Sequence, residues 1–304
     1  MRTEIRATRS DIRIDAYLAG QLEGVSRSYI ATLITDGRVT MDGNIVRSSA
    51  KTKEGSILLV DFPAPRMTEV LPEDIPLDIV YEDEYLLVIN KPQGMVVHPA
   101  PGHPSGTLVN ALLYYCSGKL SDINGVIRPG IIHRIDKDTS GLLIAVKNNE
   151  IHEKMARMIA AHDVVREYRC CVYGVLDADT GTIDAPIGRS RTDRKKMAVK
   201  EDGKPSVTHF SVVERFAKAT DLALVLETGR THQIRSHMSF IGHPAIGDPV
   251  YAPKRNHYGL VGQALHSCSI SFVHPVTNNL IRLTADLPDY YVRLIDTLRE
   301  ETNR

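Results

Sequence analysis

The stretch Gly130-Ile-Ile-His-Arg-Ile-Asp-Lys-Asp-Thr-Ser-Gly-Leu-Leu-Ile-Ala-Val-Lys147 decides how the rest of this chain is organised. Its two apolar runs, Ile131-Ile132 and Leu142-Leu-Ile-Ala-Val146, are too short for helices and are rich in β-branched residues. Both are therefore predicted to be buried strands. The polar residues 138–141, Asp-Thr-Ser-Gly, favour a chain reversal between them, in which the glycine supplies conformational freedom.

Asp136 lies at the mouth of this predicted reversal, close to three basic side chains, His133, Arg134 and Lys137. Nearby cations favour the ionised form of a carboxylate. An ionised carboxylate suits a nucleophile or a base better than an acid. A lone aspartate in such a place is more often a turn residue in a surface ion pair. A catalytic role for Asp136 therefore needs support from the rest of the chain.

Length and charge exclude some classes of protein. The 304 residues suffice for one large domain or two, and no segment has the length of a membrane span. The start, residues 1–6, lacks the apolar core of a signal peptide, so a cytoplasmic protein is expected. Basic and acidic residues balance at 37 each, which by itself does not indicate a nucleic-acid binder. Residues 188–204 are nevertheless basic and residues 69–90 contain no Lys or Arg, which leaves room for a local basic surface.

Cysteine and histidine spacing gives no indication of a metal site. His232 and His237 are five apart and would lie on different faces of a helix, so no metal is expected. The adjacent pair Cys170-Cys171 would point to opposite faces of a strand. The four cysteines are predicted to be reduced core thiols: Cys116, Cys170, Cys171 and Cys268.

The N-terminal part combines two short helices with a hairpin. Ile14, Leu18 and Leu22 recur at helical spacing, and a second helix is predicted from Ser26 to Gly37. Asp42-Gly43 between alternating residues predicts a hairpin, and residues 56–60 predict another strand. Over residues 12–62 this order resembles the small RNA-binding domain named after ribosomal protein S-four.

That resemblance implies that the second helix and the turn after it face RNA phosphates, at Arg27, Ser28 and Arg38. Phosphate contacts require only cations and backbone donors. A solvated helix face explains the same residues equally well. The proline-rich residues that follow are predicted to be a semi-rigid linker, which divides the chain into an RNA-binding domain (1–62), a linker (63–78) and a second domain (79–304).

The second domain is predicted to alternate strands and helices. Residues 151–162 and 232–241 have helical periodicity, whereas residues 164–174 and 222–227 have strand character. Residues 207–216 alternate like an edge strand. The basic connection 189–196 has no interleaved aromatic residues, so it is either a phosphate contact or a solvated loop.

Three motifs of this domain together resemble the signatures of the RluA-type pseudouridine synthases. They are His133-Arg-Ile-Asp-Lys-Asp-Thr-Ser-Gly-Leu-Leu143, with Ile135 where Leu is usual, Asn90-Lys-Pro-Gln-Gly-Met-Val-Val-His-Pro99, and Thr228-Gly-Arg-Thr-His-Gln-Ile-Arg235. They occur in the order of that family, and the resemblance extends over essentially the whole chain. The residues of these motifs are most similar to those of the family branch that acts on large-subunit ribosomal RNA.

The resemblance implies an α+β fold, in which a large mixed, mainly antiparallel sheet flanked by helices follows the small α/β domain. It implies isomerisation of uridine in RNA, without a cofactor, by a monomer whose partner is 23S-type ribosomal RNA. Asp136 would be essential, Arg235 would hold it in a bidentate pair, and Tyr168 would stack on the target base. Arg134 would fill the space that an everted nucleotide leaves, and Arg230 would contact RNA. Asp136 would act either as a nucleophile on sugar or base, or as a base toward a ribose proton.

Two other classes of function fit parts of the pattern. A ribosome-assembly protein could keep the fold and bind RNA without chemistry, although Asp136, Tyr168 and Arg235 are all present. A nucleoside hydrolase or glycosidase would require a second carboxylic acid. No second acid stands out in the three motifs.

Overall fold

The computed structural model describes residues 2–22, 25, 27–47, 49–62, 70–100, 102–123, 128–193, 195–254 and 258–304. The chain divides into two compact units, Met1–Thr68 and Glu69–Arg304. The predicted helix cap Ser26 and the prolines at 63 and 65 lie outside the described residues. None of the helices in the described ranges is both long and apolar enough to cross a membrane.

The described part of the first unit contains two helices and a sheet with the strand order β1-β4-β2-β3. The predicted hairpin is present, and Asp42 and Gly43 at its tip both have positive φ, as its tight turn requires. The first strand was not predicted; it pairs with β4 in antiparallel register. The elements are β1 (Arg2–Arg6), α1 (Ile14–Gln21), α2 (Arg27–Thr35), β2 (Val39–Met41), β3 (Asn44–Ile45) and β4 (Ile57–Asp61).

The second unit is built on one large sheet, to which nine strands of the described residues belong, in the order β5-β6-β7-β14-β8-β13-β12-β9 with β15 beside β14. Every pairing in it is antiparallel except that of β7 with β14, so the predicted mixed, mainly antiparallel sheet is confirmed. Its strands are β5 (Ile79–Glu82), β6 (Leu86–Lys91), β7 (Ser140–Val146), β8 (Val165–Tyr173), β9 (Thr180–Asp184), β12 (Val207–Arg215), β13 (Ala219–Leu226), β14 (Leu265–Val273) and β15 (Leu280–Thr284).

Helices cover the sheet on both faces. The adjacent residues Cys170 and Cys171 belong to two different core clusters, one on each face, as their strand position predicts. All four cysteines are free, but Cys116 and Cys268 are only half-buried, so the prediction of core thiols is correct for two of them. The helices are α3 (Leu108–Tyr115), α4 (Asn149–Ala160), α5 (Gln233–Phe240) and α6 (Asp289–Thr302), and a separate small hairpin consists of β10 (Ile187–Arg189) and β11 (Met197–Val199).

Strand β7 begins where Ser140 and Gly141 pair with His266 and Ser267 of β14. Gly141 has a φ of 108°, and a Cβ there would collide with the backbone of Ser267. Glycine is therefore needed for the close approach of two strands, within β7 itself. The prediction that Gly141 belongs to the turn is therefore wrong.

Two other strand predictions are wrong. Ile131-Ile132 does not form a strand; Ile131 makes a single bridge to Ala145, and the chain on either side is irregular. The alternating strand β12 is not at an edge, because β13 pairs with it on one side and β9 on the other. Its alternation reflects one face packed in the core and one face open to solvent.

Candidate active site

Asp136 lies in the loop that precedes β7, and a buried lysine holds this loop in place. Lys91 is fully buried, and its Nζ donates to the carbonyl oxygens of Pro92 (2.8 Å), Met95 (2.8 Å) and Lys137 (3.0 Å). Burial lowers the pKa of Lys91 to about 7, and nearby carboxylates oppose this shift. Three carbonyl acceptors match the three donors of the ammonium form. The second motif thus fixes the backbone directly beside Asp136.

Arg235 joins two aspartates that are far apart in the sequence. Its Nη1 donates to Asp136 Oδ2 at 2.7 Å, while its Nε and Nη2 donate to Asp248 at 2.7 and 3.0 Å. The predicted pair of Asp136 and Arg235 is therefore present, but the bidentate partner is Asp248, which the sequence analysis did not identify. Both carboxylates help to raise the pKa of Arg235, although burial opposes this shift more strongly than any single contact.

Asp248 is unavailable for chemistry, because its side chain has no exposed surface. Besides the two donors of Arg235, it accepts the backbone N–H groups of Val250 (2.8 Å) and Tyr251 (3.0 Å). A carboxylate that accepts from four donors is held in one orientation. Asp248 therefore positions the guanidinium that faces Asp136.

The helix that carries Arg235 begins at a strained residue. His232 precedes α5 with a φ of 54°, in the left-handed region. The side chain of Gln233 stabilises this entry, because it accepts the N–H of Arg230 (3.0 Å) and donates to the carbonyl of Val207 (2.9 Å). His232 consequently lies near the carboxylate of Asp136, with its Nε2 3.8 Å from Asp136 Oδ2.

A small cavity of about 50 Å³ opens over the carboxylate of Asp136. Tyr168 lines it and is 5% exposed as a residue, and burial raises the pKa of its phenol. The side chain of Asp136 is 17% exposed, so it is accessible without being solvated on all sides. Among the described residues that line this cavity, Asp136 is the only one with a carboxylate.

A larger cleft of about 960 Å³ adjoins this cavity, and Arg134 and Arg230 line both. Arg134 is exposed, and its Nη1 lies 3.5 Å from Nε2 of His98. Burial and the nearby arginines lower the pKa of His98 to about 4, so the neutral ring can accept from Arg134. Arg230 is also exposed, and its Nε donates to the carbonyl of Pro205 at 3.1 Å.

The predicted RNA-binding residues of the first unit have acidic partners within that unit. Arg27 pairs with Asp15 at 3.0 Å, and Arg38 pairs with Asp61 at 3.3 Å. Arg13 and, secondarily, Arg27 lower the pKa of Asp15 to about 2, against the effect of burial. Ser28 is exposed on α2. The side chains of Arg27 and Arg38 are 57% and 39% exposed, so the ion pairs leave both accessible.

Sequence reasoning missed three residues of the site. Asp248 follows a turn without periodicity, Lys91 was assigned only to a scaffold, and Arg166 was not considered. Lys91 belongs to the motif 90–99, and the proximity of this motif to the motif of Asp136 in the fold could have identified it. No local signal in the sequence marks Asp248 or Arg166. Within the described ranges, no group of three His, Cys, Asp or Glu side chains could hold a metal ion.

Residues 85–240 match the family described as RNA pseudouridylate synthase. This match covers about half of the chain and contains Asp136, Tyr168 and Arg235. The chain belongs to the RNA pseudouridylate synthase family, whose members are isomerases that act on RNA.

Individual relatives match nearly the whole chain. The chain is 49% identical to an uncharacterized RNA pseudouridine synthase, YlyB, of Bacillus subtilis, over 95% of this chain and 94% of that protein. It is 47% identical to the ribosomal large subunit pseudouridine synthase D of Zymomonas mobilis, over 91% and 90%. The protein of the same name from Pseudomonas aeruginosa is 44% identical, over 95% and 92%.

A solved structure has a similar fold. Human RNA pseudouridylate synthase domain containing 1 covers 78% of this chain and 98% of its own, with a TM-score of 0.57 and 24% identity. At this identity the comparison supports the shared fold.

Proposed function

We propose that the chain converts specific uridines of large-subunit ribosomal RNA, of the 23S type, to pseudouridine. The observation that carries this is the geometry of Asp136, which is partly exposed in a cavity and bonded at 2.7 Å to a buried guanidinium. The names of two relatives more than 40% identical to this chain support the choice of RNA. We also propose a monomeric enzyme in the cytoplasm.

In this proposal Asp136 is the reacting group. The uracil leaves the ribose at N1, rotates in the cavity and is rejoined through C5, which loses a proton while N1 gains one. The product therefore has the composition of the substrate. Asp136 either attacks the sugar or base or removes a ribose proton, and Arg235 orients it for both. Arg134, exposed between the two cavities, would fill the place of the everted nucleotide in the RNA.

A hydrolytic reaction fits this cavity less well. A glycosidase of the usual kind uses a second carboxylic acid to protonate the leaving group. Asp248 shares Arg235 with Asp136, but its side chain is inaccessible and already accepts hydrogen bonds from Arg235 and from two backbone N–H groups. Free uracil as a product would contradict isomerisation.

The test is a map of pseudouridine in total RNA from cells with and without this chain. We expect one or a few sites in large-subunit ribosomal RNA to lose the modification, and to regain it when the chain is supplied again. An unchanged map together with a defect in ribosome assembly would favour the non-catalytic RNA-binding alternative.

Tyr168 is proposed to stack on the target base. Tyr168→Phe keeps the ring and should retain activity within about fivefold, whereas Tyr168→Leu removes stacking that contributes about 1–3 kcal/mol per base. We therefore expect the Leu variant to lose about 5- to 150-fold in kcat/KM. Leu is preferred to Ala because the ring is buried and Ala would leave a cavity. Equal losses in Phe and Leu variants would instead assign the role to the hydroxyl.

The first unit is proposed to be the RNA-binding domain of the S-four type, and Arg27 and Arg38 to contact phosphates. Glutamine is the better replacement, because glutamate would place like charges beside Asp15 and Asp61. For the double variant Arg27→Gln/Arg38→Gln we expect weaker binding to 23S-type RNA and a salt-dependence slope smaller by about 1.4 to 1.8, since each phosphate contact contributes about 0.7–0.9.

The control is Arg282→Gln/Arg293→Gln, which removes the same charge from exposed positions on β15 and α6. It should leave the slope nearly unchanged. If both double variants bind RNA like the wild type, the first unit does not contact phosphates through Arg27 and Arg38.

A further inference from the structure

Arg166 is a buried arginine that has no hydrogen-bond or ion-pair partner among the described residues. It lies on β8, two residues before Tyr168 and on the same face of the sheet, and it is 4% exposed. Among the described residues, no hydrogen bond or ion pair involves its guanidinium, and its Nε is fully shielded without an acceptor. A Cβ at Gly229 would lie 3.0 Å from its Nη1, so glycine lets the neighbouring backbone lie close to this group.

Such a charge is costly in the free protein. An arginine cannot release its proton, and a buried charge normally requires a counter-charge and hydrogen bonds. Two other arginines of this unit have acidic partners: Arg235 on α5 bonds to two aspartates, and the half-buried Arg169 on β8 bonds to Asp221. Within the described part of the chain Arg166 has no such partner, which points to a counter-charge from a bound molecule.

The surroundings of Arg166 point to an anion. It lines both the small cavity over Asp136 and the large cleft, as do Arg134 and Arg230. The cleft is also lined by Arg128, and Glu227 is the only acid among its described lining residues. Four arginines therefore face the cleft, in which Glu227 is the single carboxylate among the described lining residues.

The nearby His133 adds no charge to this space at neutral pH. Its Nε2 accepts the N–H of Ile144 at 3.0 Å, which requires the neutral ring. Burial and the charge of Arg166 agree with this, since they lower the pKa of His133 to about 3.

We propose that Arg166 binds the phosphate next to the everted nucleotide, at the boundary between the cavity and the cleft. This rests on the proposed function and specifies the part of the RNA that the site recognises. A phosphate carries the negative charge that the buried guanidinium lacks, and it accepts two parallel N–H bonds from a guanidinium. The uracil base is neutral and would not compensate this charge.

The melting temperatures of variants without RNA distinguish phosphate binding by Arg166 from a structural role. Arg166→Gln and Arg166→Met remove an unpaired buried charge, so we expect their melting temperatures without RNA to equal or exceed that of the wild type. A structural role predicts the opposite sign, a lower melting temperature for both variants. That result would overturn the proposal.

Binding to a transcript of 23S-type RNA gives the second readout, which needs no knowledge of the modified uridine. Arg166→Gln should weaken binding about 10- to 100-fold, as expected for a hydrogen-bonded charge pair, and reduce the salt slope by about 0.7–0.9. Arg293→Gln, at an exposed position on α6, is the matched control and should change neither quantity appreciably. Equal affinities and slopes for the two variants would overturn the proposal.

A short RNA with one neutral methylphosphonate on either side of the mapped uridine identifies the phosphate. One of the two replacements should weaken binding by wild type about as much as Arg166→Gln does, and should not weaken the Arg166→Gln variant further. Additive losses, or no loss with either replacement, would overturn the assignment. Failure of wild type to form pseudouridine in any RNA would instead refute the proposed function, independently of these binding results.

Discussion

Pseudouridine formation is expected to fall on the order of 10⁴-fold or more when Asp136 is replaced by Asn, the size of loss typical when an essential nucleophile is removed. The amide has nearly the same shape, and its oxygen can still accept from Arg235 Nη1, which lies 2.7 Å from the carboxylate. The amide can neither attack carbon effectively nor take up a proton. The reaction can be followed by the release of tritium from RNA labelled at C5 of uridine, because that carbon loses its proton.

Two controls test whether the loss of activity in Asp136→Asn is due to the carboxylate itself. The Asp136→Asn variant should keep the melting temperature and RNA affinity of the wild type, because its side chain remains hydrogen-bonded. Asp138→Asn removes a carboxylate from the same loop, outside the described lining of the cavity, and should retain activity within about tenfold. If Asp136→Asn kept a tenth of the wild-type rate, Asp136 would not be the reacting group.

Replacing Arg235 by Met should destabilise the protein and also stop the reaction. The substitution leaves two carboxylates without their guanidinium, and the side chain of Asp248 is completely buried. Breaking a buried ion pair on one side costs about 3–5 kcal/mol in the free energy of unfolding. Denaturant unfolding measures this loss, and the tritium assay measures the activity.

The double variant Arg235→Met/Asp248→Asn separates the two effects. Neutralising Asp248 removes the unpaired buried charge, so most of the lost stability should return. Activity should remain absent, because Asp136 still lacks the donor that orients it. Recovery of activity together with stability would mean that Arg235 supports only the fold.

Local patterns predicted most helices and strands of this chain. The helices α1, α4 and α5 and the hairpin at Asp42-Gly43 form where periodicity and turn residues indicate them. Predictions failed where a partner strand decides the outcome. Ile131-Ile132 has strand-forming residues but only one bridging partner, and β12 alternates although strands flank it on both sides.

In the candidate site, too, local sequence predicts some features and the fold decides others. The motifs identified Asp136 and Arg235, the family resemblance assigned Tyr168, and the fold brings Asp136 and Arg235 into contact; the catalytic roles of all three remain predictions. The expected bidentate pair was assigned to the wrong aspartate, because Asp248 lies in a turn with no signal of its own. That Arg166 has no acidic partner within the described part of the chain could not be foreseen, since an unpaired charge is recognised only from the groups around it in the fold.

By itself, the amino-acid sequence determined the class of the protein and predicted most of its elements and the candidate reacting carboxylate, since these depend on residues close together in the chain. Only the tertiary structure decided which charges meet. Asp136 and Arg235 are 99 positions apart, and the pairing of β7 with β14 and the packing of α5 bring them together. Sequence periodicity describes which face of an element is buried, whereas the energy of a buried charge depends on every group around it.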